Sequence, residues 1–143
     1  MITAPPQLQA NGNIYPSRFV MVDPSDNAKC IQATANAKVI GVSQVGTNYP
    51  PITDSSITVA GYAAIDGQNV ELHTLGQVCH VEAGDVFAAG DYLKSDGDGK
   101  AIKIATTGTT LQRYGAQALE AATAAGQKIR CYIMPGSERP AIA

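Results

Sequence analysis

The second half of this 143-residue chain repeats the plan of its first half, in short segments typical of β-strands. Three pairs of segments correspond in order, at nearly constant offsets of 73, 74 and 72 residues: 19–27 with 92–100, 39–44 with 113–118, and 57–59 with 129–131. Identity between the halves is low, so chance similarity among Gly- and Ala-rich strands is the alternative. The constant offset favours two related β-units, at about 14–65 and 87–136, within a single β-domain that spans 14–136.

Small aliphatic residues dominate the candidate core. The chain has no Trp and only 2 Phe, against 14 Gly and many Ala, Thr, Ser and Val. Side chains of this size suit tightly packed sheets better than helical bundles. A domain of this length buries about 68% of its unfolded surface, which is sufficient without disulfides or metal. We therefore predict an all-β fold, a compact small β-barrel or sandwich with at most one short helix.

Alternation of apolar and polar residues locates the strands. It is strict at 69–73, and 100–104 and 128–133 show a similar pattern; a period of two indicates strands with one buried face. The run 81–91 contains Gly-Asp twice and is typical of the tight corners of a small barrel. Apolar runs between turn-forming segments predict four more strands, at 18–22, 29–32, 39–45 and 56–64.

The segment 111–125 fits two structures. Its apolar residues, at 111, 114, 118, 119 and 122, have helical spacing, and Gly126 is well placed as a C-terminal cap. The repeat instead aligns 114–116 with strand residues 40–42, and Gly115 would weaken a helix interior by about 1 kcal/mol. We predict a strand here, with a helix as the alternative.

The two ends of the chain differ in composition from the domain. Residues 1–13 contain Pro, Gln and Asn with two isolated apolar residues, Ile2 and Leu8, which predicts an extended N-terminal arm. Residues 137–143 are predicted to form a loose tail. The start lacks the basic and apolar regions of a signal peptide, and no 18-residue apolar stretch occurs. We expect synthesis in the host cytoplasm and no membrane partner.

Charge and cysteine content argue against several classes of function. The net charge is −2, from 10 basic and 12 acidic residues, so no nucleic-acid partner is indicated. The three cysteines, Cys30, Cys79 and Cys131, are widely spaced and match neither a disulfide framework nor a CxxC metal motif. Buried thiols in a reducing compartment are the simpler interpretation.

Residues that could bind a metal are scattered. His73, Cys79 and His80 suggest a site, but adjacent residues of a strand point to opposite faces, so surface histidines are the simpler interpretation. The run 96–100, Asp-Gly-Asp-Gly-Lys, is similar to a calcium loop. It lacks the third oxygen ligand and the terminal acidic residue of that loop, so we predict a hairpin turn.

Catalytic patterns are similarly incomplete. Paired carboxylates serve in acid–base catalysis, but solvated turn positions explain the neighbouring carboxylates more simply: Glu71, Glu82, Asp85 and Asp91. The run 41–46 misses the nucleophile elbow by one residue, and its glycines indicate a strand bend. We predict no catalytic residues, no cofactor and no metal.

Five segments between Ile14 and Met134 carry a family resemblance: 14–20, 39–43, 83–93, 98–100 and 115–122, ahead of a C-terminal strand. This pattern resembles the small decoration, or cement, proteins of tailed-bacteriophage heads. The resemblance implies a compact β-barrel or sandwich on the outer surface of the capsid, commonly as a homotrimer at threefold or quasi-threefold positions. Such a protein clamps neighbouring subunits of the major capsid protein after the head expands, and it has no catalytic residues.

An arm suits this implied role, because decoration proteins often add a strand to a neighbour. We expect the arm to reach along the capsid lattice or an adjacent copy and to order only on assembly, with capsid or partner contacts at Ile2 and Leu8 of the arm and at Ile14 and Tyr15 of the domain.

Two other classes of binding protein stay open. One is a phage tail or fibre accessory component. The other is a carbohydrate-binding β-module, which exposed tyrosines on one face would favour, such as Tyr49, Tyr62 and Tyr92. A cupin-like enzyme would ordinarily need a histidine cluster, which a chain with 2 His cannot supply.

Overall fold

Two five-stranded β-sheets make up the part of the chain that the computed structural model describes, residues 8–44 and 62–138. Within these ranges there is no helix. The predicted all-β fold is therefore confirmed. Predictions for Ile2 and Tyr49, for most of the strand at 56–64 and for 139–143 lie outside the described residues.

The first sheet comes from the N-terminal half and curls towards a barrel. Its strands are β1 (Gln9–Ala10), β2 (Phe19–Val22), β3 (Lys29–Gln32), β4 (Gly41–Ser43) and β5 (Leu72–His73), in the order β1-β3-β2-β4-β5. The pair β1–β3 is parallel, and the other pairs are antiparallel. Just before β5, the Gln68 carbonyl accepts a hydrogen bond from the Ala10 amide at 2.7 Å. The segment just before edge strand β5 therefore also contacts β1, the strand at the opposite edge of the sheet.

The second sheet comes from the C-terminal half and is antiparallel throughout. Its strands are β6 (Val78–Glu82), β7 (Tyr92–Ser95), β8 (Ala101–Lys103), β9 (Gln112–Ala118) and β10 (Lys128–Glu138), in the order β6-β10-β9-β7-β8. The longest strand, β10, pairs with both β6 and β9. Its register shifts between Ile133 and Gly136, as at a β-bulge.

Two apolar clusters form the core, and β2 contributes to both. Phe19 belongs to a cluster with side chains from both sheets, whereas Val20 belongs to one made only from the N-terminal half. Neighbouring residues of a strand face opposite sides, so β2 is buried on both faces. Sheet 1 therefore encloses its own small core and also packs on sheet 2.

The segment with helical spacing is a strand, as predicted: β9 covers Gln112–Ala118. A Cβ atom at Gly115 would lie 2.9 Å from the Cβ of Val39 and 3.1 Å from Cε1 of Phe19. The glycine therefore lets β9 approach the first sheet closely. Packing between the halves decides the structure here, and the helix alternative is wrong for these residues.

Both ends of the described chain are more ordered than their composition indicates. Ala10 is buried and β1 pairs with β3, so the described part of the predicted arm is docked on the domain. At the other end, Ser137 and Glu138 pair with Arg113 and Gln112 and extend β10 into the predicted tail. Backbone pairing, which side-chain patterns do not show, causes both differences.

The strand β6 was not predicted in full. The sequence interpretation places barrel corners from residue 81 onwards, whereas the strand runs through Val81 to Glu82. Cys79 and Val81 are buried while Val78 and His80 are exposed, so the side chains do alternate. The Gly-Asp repeat just after the strand led to the prediction of corners, and the short alternating pattern before it was overlooked.

The two sheets share a local arrangement. Strand order β3-β2-β4 in the first corresponds to β8-β7-β9 in the second. Phe19 pairs with Val42 in sheet 1, and the corresponding residue of sheet 2, Tyr92, pairs with Gln117. The sequence repeat aligns residue 42 with residue 116, so the pairing of β9 differs from that alignment by one residue. The hairpin turns have the same hydrogen bond. Asp23 Oδ1 accepts from the Ser25 amide at 2.8 Å, and Asp96 Oδ1 accepts from the Asp98 amide at 2.8 Å. The internal repeat stays a prediction.

Candidate interaction surface

An ion-pair cluster, which we call the inter-sheet cluster, joins the two halves: Arg18, Glu82 and Lys100. Arg18 precedes β2, Glu82 ends β6, and Lys100 lies in the turn between β7 and β8. Glu82 Oε2 lies 3.0 Å from Arg18 Nη2 and 3.5 Å from Lys100 Nζ. The Arg18 and Glu82 side chains are 12% and 19% exposed, so these charges are only weakly solvated. The cluster is placed to fix one sheet against the other.

The Asp-Gly-Asp-Gly turn is a hairpin turn, as predicted, and it also contacts sheet 1. The Asp98 carbonyl accepts hydrogen bonds from Arg18 Nη1 at 2.9 Å and Gln32 Nε2 at 2.7 Å, and the Gly99 carbonyl accepts from the Phe19 amide at 2.8 Å. Gly99 has a φ of 78°, which glycine adopts without strain. Asp96 Oδ1 accepts from amides within the turn, so the carboxylate stabilises the turn itself.

The structure separates the predicted partner-binding residues. Leu8 is half-buried and packs against the N-terminal core cluster, and Ile14 is fully buried there. Tyr15 is 38% exposed and lies on the surface. Of the described residues in this group, Tyr15 is thus the one whose side chain is most accessible to a partner.

Four of the tyrosines form two separate ring pairs. Tyr15 and Tyr62 have centroids 5.0 Å apart, and the Arg18 guanidinium lies 5.1 Å from the Tyr15 ring. A hydrogen bond with Tyr62 raises the pKa of Tyr15. Tyr92 instead stacks on Tyr114, with centroids 4.6 Å apart. Tyr62 and Tyr92 therefore each face another tyrosine, in different halves of the protein.

The histidine and cysteine side chains near β6 do not converge on one site. Cys79 is buried and His80 is exposed on the same strand, as predicted from alternation. Cys79 Sγ lies 3.8 Å from Cys131 Sγ, directly across the β6–β10 pair. The hydrogen bond to Cys79, together with burial, raises the pKa of Cys131. Within 8–44 and 62–138, no group of three or more His, Cys, Asp or Glu residues is arranged to hold a metal ion.

The four neighbouring carboxylates have different local roles. Glu82 belongs to the inter-sheet cluster, and Asp91 Oδ2 accepts from the Ala88 amide at 2.9 Å. Asp85 and Glu71 are exposed, and Asp85 Oδ1 accepts from the next amide in the chain. Asp85 and Asp91 hold local bends and turns, as the sequence indicates, whereas Glu82 is a poorly solvated strand residue in an ion pair, so the solvated-turn interpretation is wrong for Glu82.

An exposed apolar patch was not predicted from the sequence. It consists of Leu75, Val78 and Tyr132, which are 69%, 56% and 38% exposed, and we call it the β6 edge patch. Val78 pairs directly with Tyr132, and Leu75 lies in the turn just before β6. Contiguous apolar side chains on the surface commonly mark interaction sites. Side-chain alternation along β6 could have indicated this patch. Cys79 and Val81 are buried, so Val78 lies on the opposite, exposed face of the strand.

In the part of the chain that is described, no helix is long and apolar enough to cross a membrane.

Comparisons with known proteins bear on the family and on the fold. A family profile described as phage cement protein matches residues 25–133. The fold is similar to a crystal structure of the N base of head fiber gp8.5 in bacteriophage phi29, with a TM-score of 0.52 and 18% identity. That similarity covers 90% of this chain and 91% of the other, and at this identity it concerns the fold alone. No curated protein sequence matches this chain.

Proposed function

This chain belongs to the phage cement protein family, and we propose that it binds the outer surface of a phage head and clamps neighbouring subunits of the major capsid protein after the head expands. The observation that carries the proposal is the family match over residues 25–133, which includes most of both sheets. Family membership indicates a structural protein of the phage capsid, whose role is binding rather than catalysis. The protein is made in the host cytoplasm and assembles onto the virion.

The β6 edge patch is the surface we propose for the capsid contact. Its three side chains present apolar area on a sheet edge that is fixed by pairing with β10. A rigid contact surface loses little conformational entropy on binding, which suits a protein that occupies many equivalent sites. Val78 is 56% exposed, so burying the rest of its side chain contributes about 1 kcal/mol, or about fivefold in affinity.

A homotrimer strengthens such a contact through multivalency. Once one copy is bound, the other copies in the same trimer bind at high effective concentration, so modest contacts per copy are sufficient. We propose that Ile2, from the N-terminal arm, and Tyr15 contribute at the contacts between copies or with the capsid. Leu8 and Ile14 support this region from within the domain.

The test is reconstitution on purified expanded heads that lack this protein. Heads are incubated with increasing amounts of the protein, and bound copies per capsid subunit are counted by quantitative mass spectrometry. We expect saturation at a fixed ratio and increased survival of the heads on heating. Failure of the protein to bind heads would refute the capsid role.

A matched pair of substitutions tests the contact surface. Val78→Lys places a charge in the β6 edge patch and is expected to weaken head binding about tenfold or more. Val86→Lys is the control, because Val86 is also 56% exposed but lies beyond the opposite end of β6. Equal binding by the two variants would exclude the patch as the contact.

The arm is tested by a deletion that leaves β1 intact. Removing residues 1–7 keeps Leu8 and the Gln9–Ala10 pairing with β3, so the domain retains its described structure. We expect weaker binding to heads with an unchanged melting temperature. Unchanged affinity would mean that the arm makes no contact.

A further inference from the structure

A cleft of about 310 Å³ lies apart from the β6 edge patch, where the chain before β4 faces the paired ends of β9 and β10. One wall is formed by Lys38 and Val39. The other comes from paired strand residues, and Gly136 and Ser137 lie opposite Tyr114 and Arg113 in register. We call this the cationic cleft, because it is lined by two basic residues and, among described residues, by no acidic residue.

One wall of the cationic cleft is held by a hydrogen-bonded asparagine. Asn36 adopts a φ of 54°, an uncommon value for a residue other than glycine. Its side chain donates to the Leu111 carbonyl at 2.9 Å and accepts from the Arg113 amide at 2.8 Å, which connects the loop to β9. Its own amide donates to the Ser95 carbonyl at 3.0 Å. The loop that carries Lys38 is thus fixed before any ligand binds.

The opposite wall is held by ring packing. Tyr114 stacks on Tyr92, and its ring also lies against the backbone of Gly136. A Cβ atom at Gly136 would come within 2.6 Å of the Tyr114 hydroxyl oxygen, so a larger residue would displace the ring. The cleft therefore has a defined shape, which reduces the entropic cost of binding.

The two cations of the cleft have no carboxylate partner among the described residues. The ion pairs found there use other basic residues, Arg18, Lys100, Lys103 and Arg130. Lys38 is exposed, and Arg113 is half-buried in the wall of the cleft. A guanidinium in this setting binds a carboxylate through two parallel hydrogen bonds, and an ammonium adds attraction without fixed geometry.

We propose that the cationic cleft binds a carboxylate side chain within an acidic segment of the capsid protein. This inference rests on the proposed capsid role, and it adds the chemistry of the partner. The Arg113 guanidinium pairs with the carboxylate, Lys38 contributes a second positive charge, and the Tyr114 ring contacts the aliphatic part of the same segment. Because both cations are reached from solvent, the affinity decreases as salt increases.

A direct test uses the isolated protein and a hexaglutamate peptide. Backbone amide resonances of Arg113 and Gly136 are followed by NMR during titration, at low and high salt. We expect saturable shifts that weaken with salt and are absent with hexalysine. The double variant Lys38→Gln/Arg113→Gln should lose them, whereas Lys128→Gln, which changes an exposed cation on β10, should keep them. Absent shifts, or equal shifts in the double variant, would overturn the proposal.

Binding to heads separates this proposal from the capsid role. We expect the double variant to bind expanded heads at least fivefold more weakly than Lys128→Gln, with an unchanged melting temperature. If the double variant binds heads as the native protein does, the cleft proposal is wrong and the capsid role stands. If the native protein binds hexaglutamate but no heads, the capsid role fails and the capsid protein is not the acidic partner.

Discussion

The inter-sheet cluster predicts a large loss of stability when its single carboxylate is neutralised. In Glu82→Gln the side chain keeps its size, but Arg18 and Lys100 lose their ion pair. The Nε atom of Arg18 is already buried without a hydrogen-bond partner among the described residues. The substitution therefore leaves a weakly solvated guanidinium whose remaining contacts are the Asp98 carbonyl and the Tyr15 ring.

The magnitude follows from the exposure of the pair. Removing one partner of a fully buried pair costs about 3–5 kcal/mol, and removing one of an exposed pair costs about 0.2–1 kcal/mol. Arg18 and Glu82 are 12% and 19% exposed, which places them between these limits. We expect the free energy of unfolding to fall by about 2 kcal/mol, which lowers the melting temperature by about 8 °C in a chain of this length.

Urea unfolding of four proteins measures the coupling: native, Glu82→Gln, Arg18→Met and the double variant. The double variant should be more stable than the sum of the single losses indicates, because it leaves no unpaired charge at Arg18. Lys103→Gln is the control, since Lys103 is 50% exposed and its Nζ lies 4.0 Å from Asp91. That substitution should cost less than about 0.5 kcal/mol.

Two results would refute this reasoning. A loss below about 0.5 kcal/mol for Glu82→Gln would mean that the pair behaves as an exposed one. Strictly additive losses for Arg18→Met and Glu82→Gln would mean that the two side chains do not stabilise each other, despite the 3.0 Å separation of their charged atoms.

Three further predictions concern other parts of the fold. Gly115→Ala should lower the free energy of unfolding by about 1–3 kcal/mol in urea, because its Cβ would meet Val39 at 2.9 Å, whereas Gly97→Ala, with nothing within 4 Å, should change it by less than about 1 kcal/mol. Millimolar calcium should leave the melting temperature unchanged, because Asp96 Oδ1 already accepts hydrogen bonds within its turn, and a saturable rise would contradict this. Burial raises the pKa of Cys30 to about 11. The stabilising contribution of this buried thiol is therefore complete below the unfolded pKa of about 8.5 and is lost as pH rises towards about 11. The free energy of unfolding should therefore decrease more steeply over this range in the native protein than in Cys30→Ala, and equal slopes would contradict the assignment.

Side-chain alternation predicted the strands with one buried face. The pattern at 128–133 corresponds to β10, in which Ile129, Cys131 and Ile133 are buried and the residues between them are exposed. The pattern at 100–104 also corresponds to a strand, β8, but burial does not alternate there, because Ala101 is buried, Ile102 is half-buried and Lys103 is exposed. The turn between β7 and β8 was predicted for a related reason: the Asp-Gly pairs favour a tight hairpin locally, whatever the rest of the chain does.

Features that depend on backbone pairing over long distances were not predicted. Ala10 is buried by the β1–β3 pair and by the chain near residue 68, and nothing in the composition of 8–13 indicates this. The cationic cleft was missed for the same reason. Lys38 and Arg113 are 75 positions apart in the chain, and only the folded arrangement of loop and strand brings them to one cavity.

Strand β10 connects the two proposed contact surfaces. Tyr132, near its middle, lies in the β6 edge patch, and Gly136 and Ser137 near its end line the cationic cleft. The register shift between Ile133 and Gly136 separates the two, and a bulge of this kind changes the direction of the side chains beyond it. One strand therefore supports both proposed surfaces, and its pairing with β6 and β9 holds them in a fixed relation. Substitutions on the flanking strands, at Val78 in β6 and Arg113 in β9, therefore test the two surfaces one at a time. A substitution within β10 would affect the support of both surfaces.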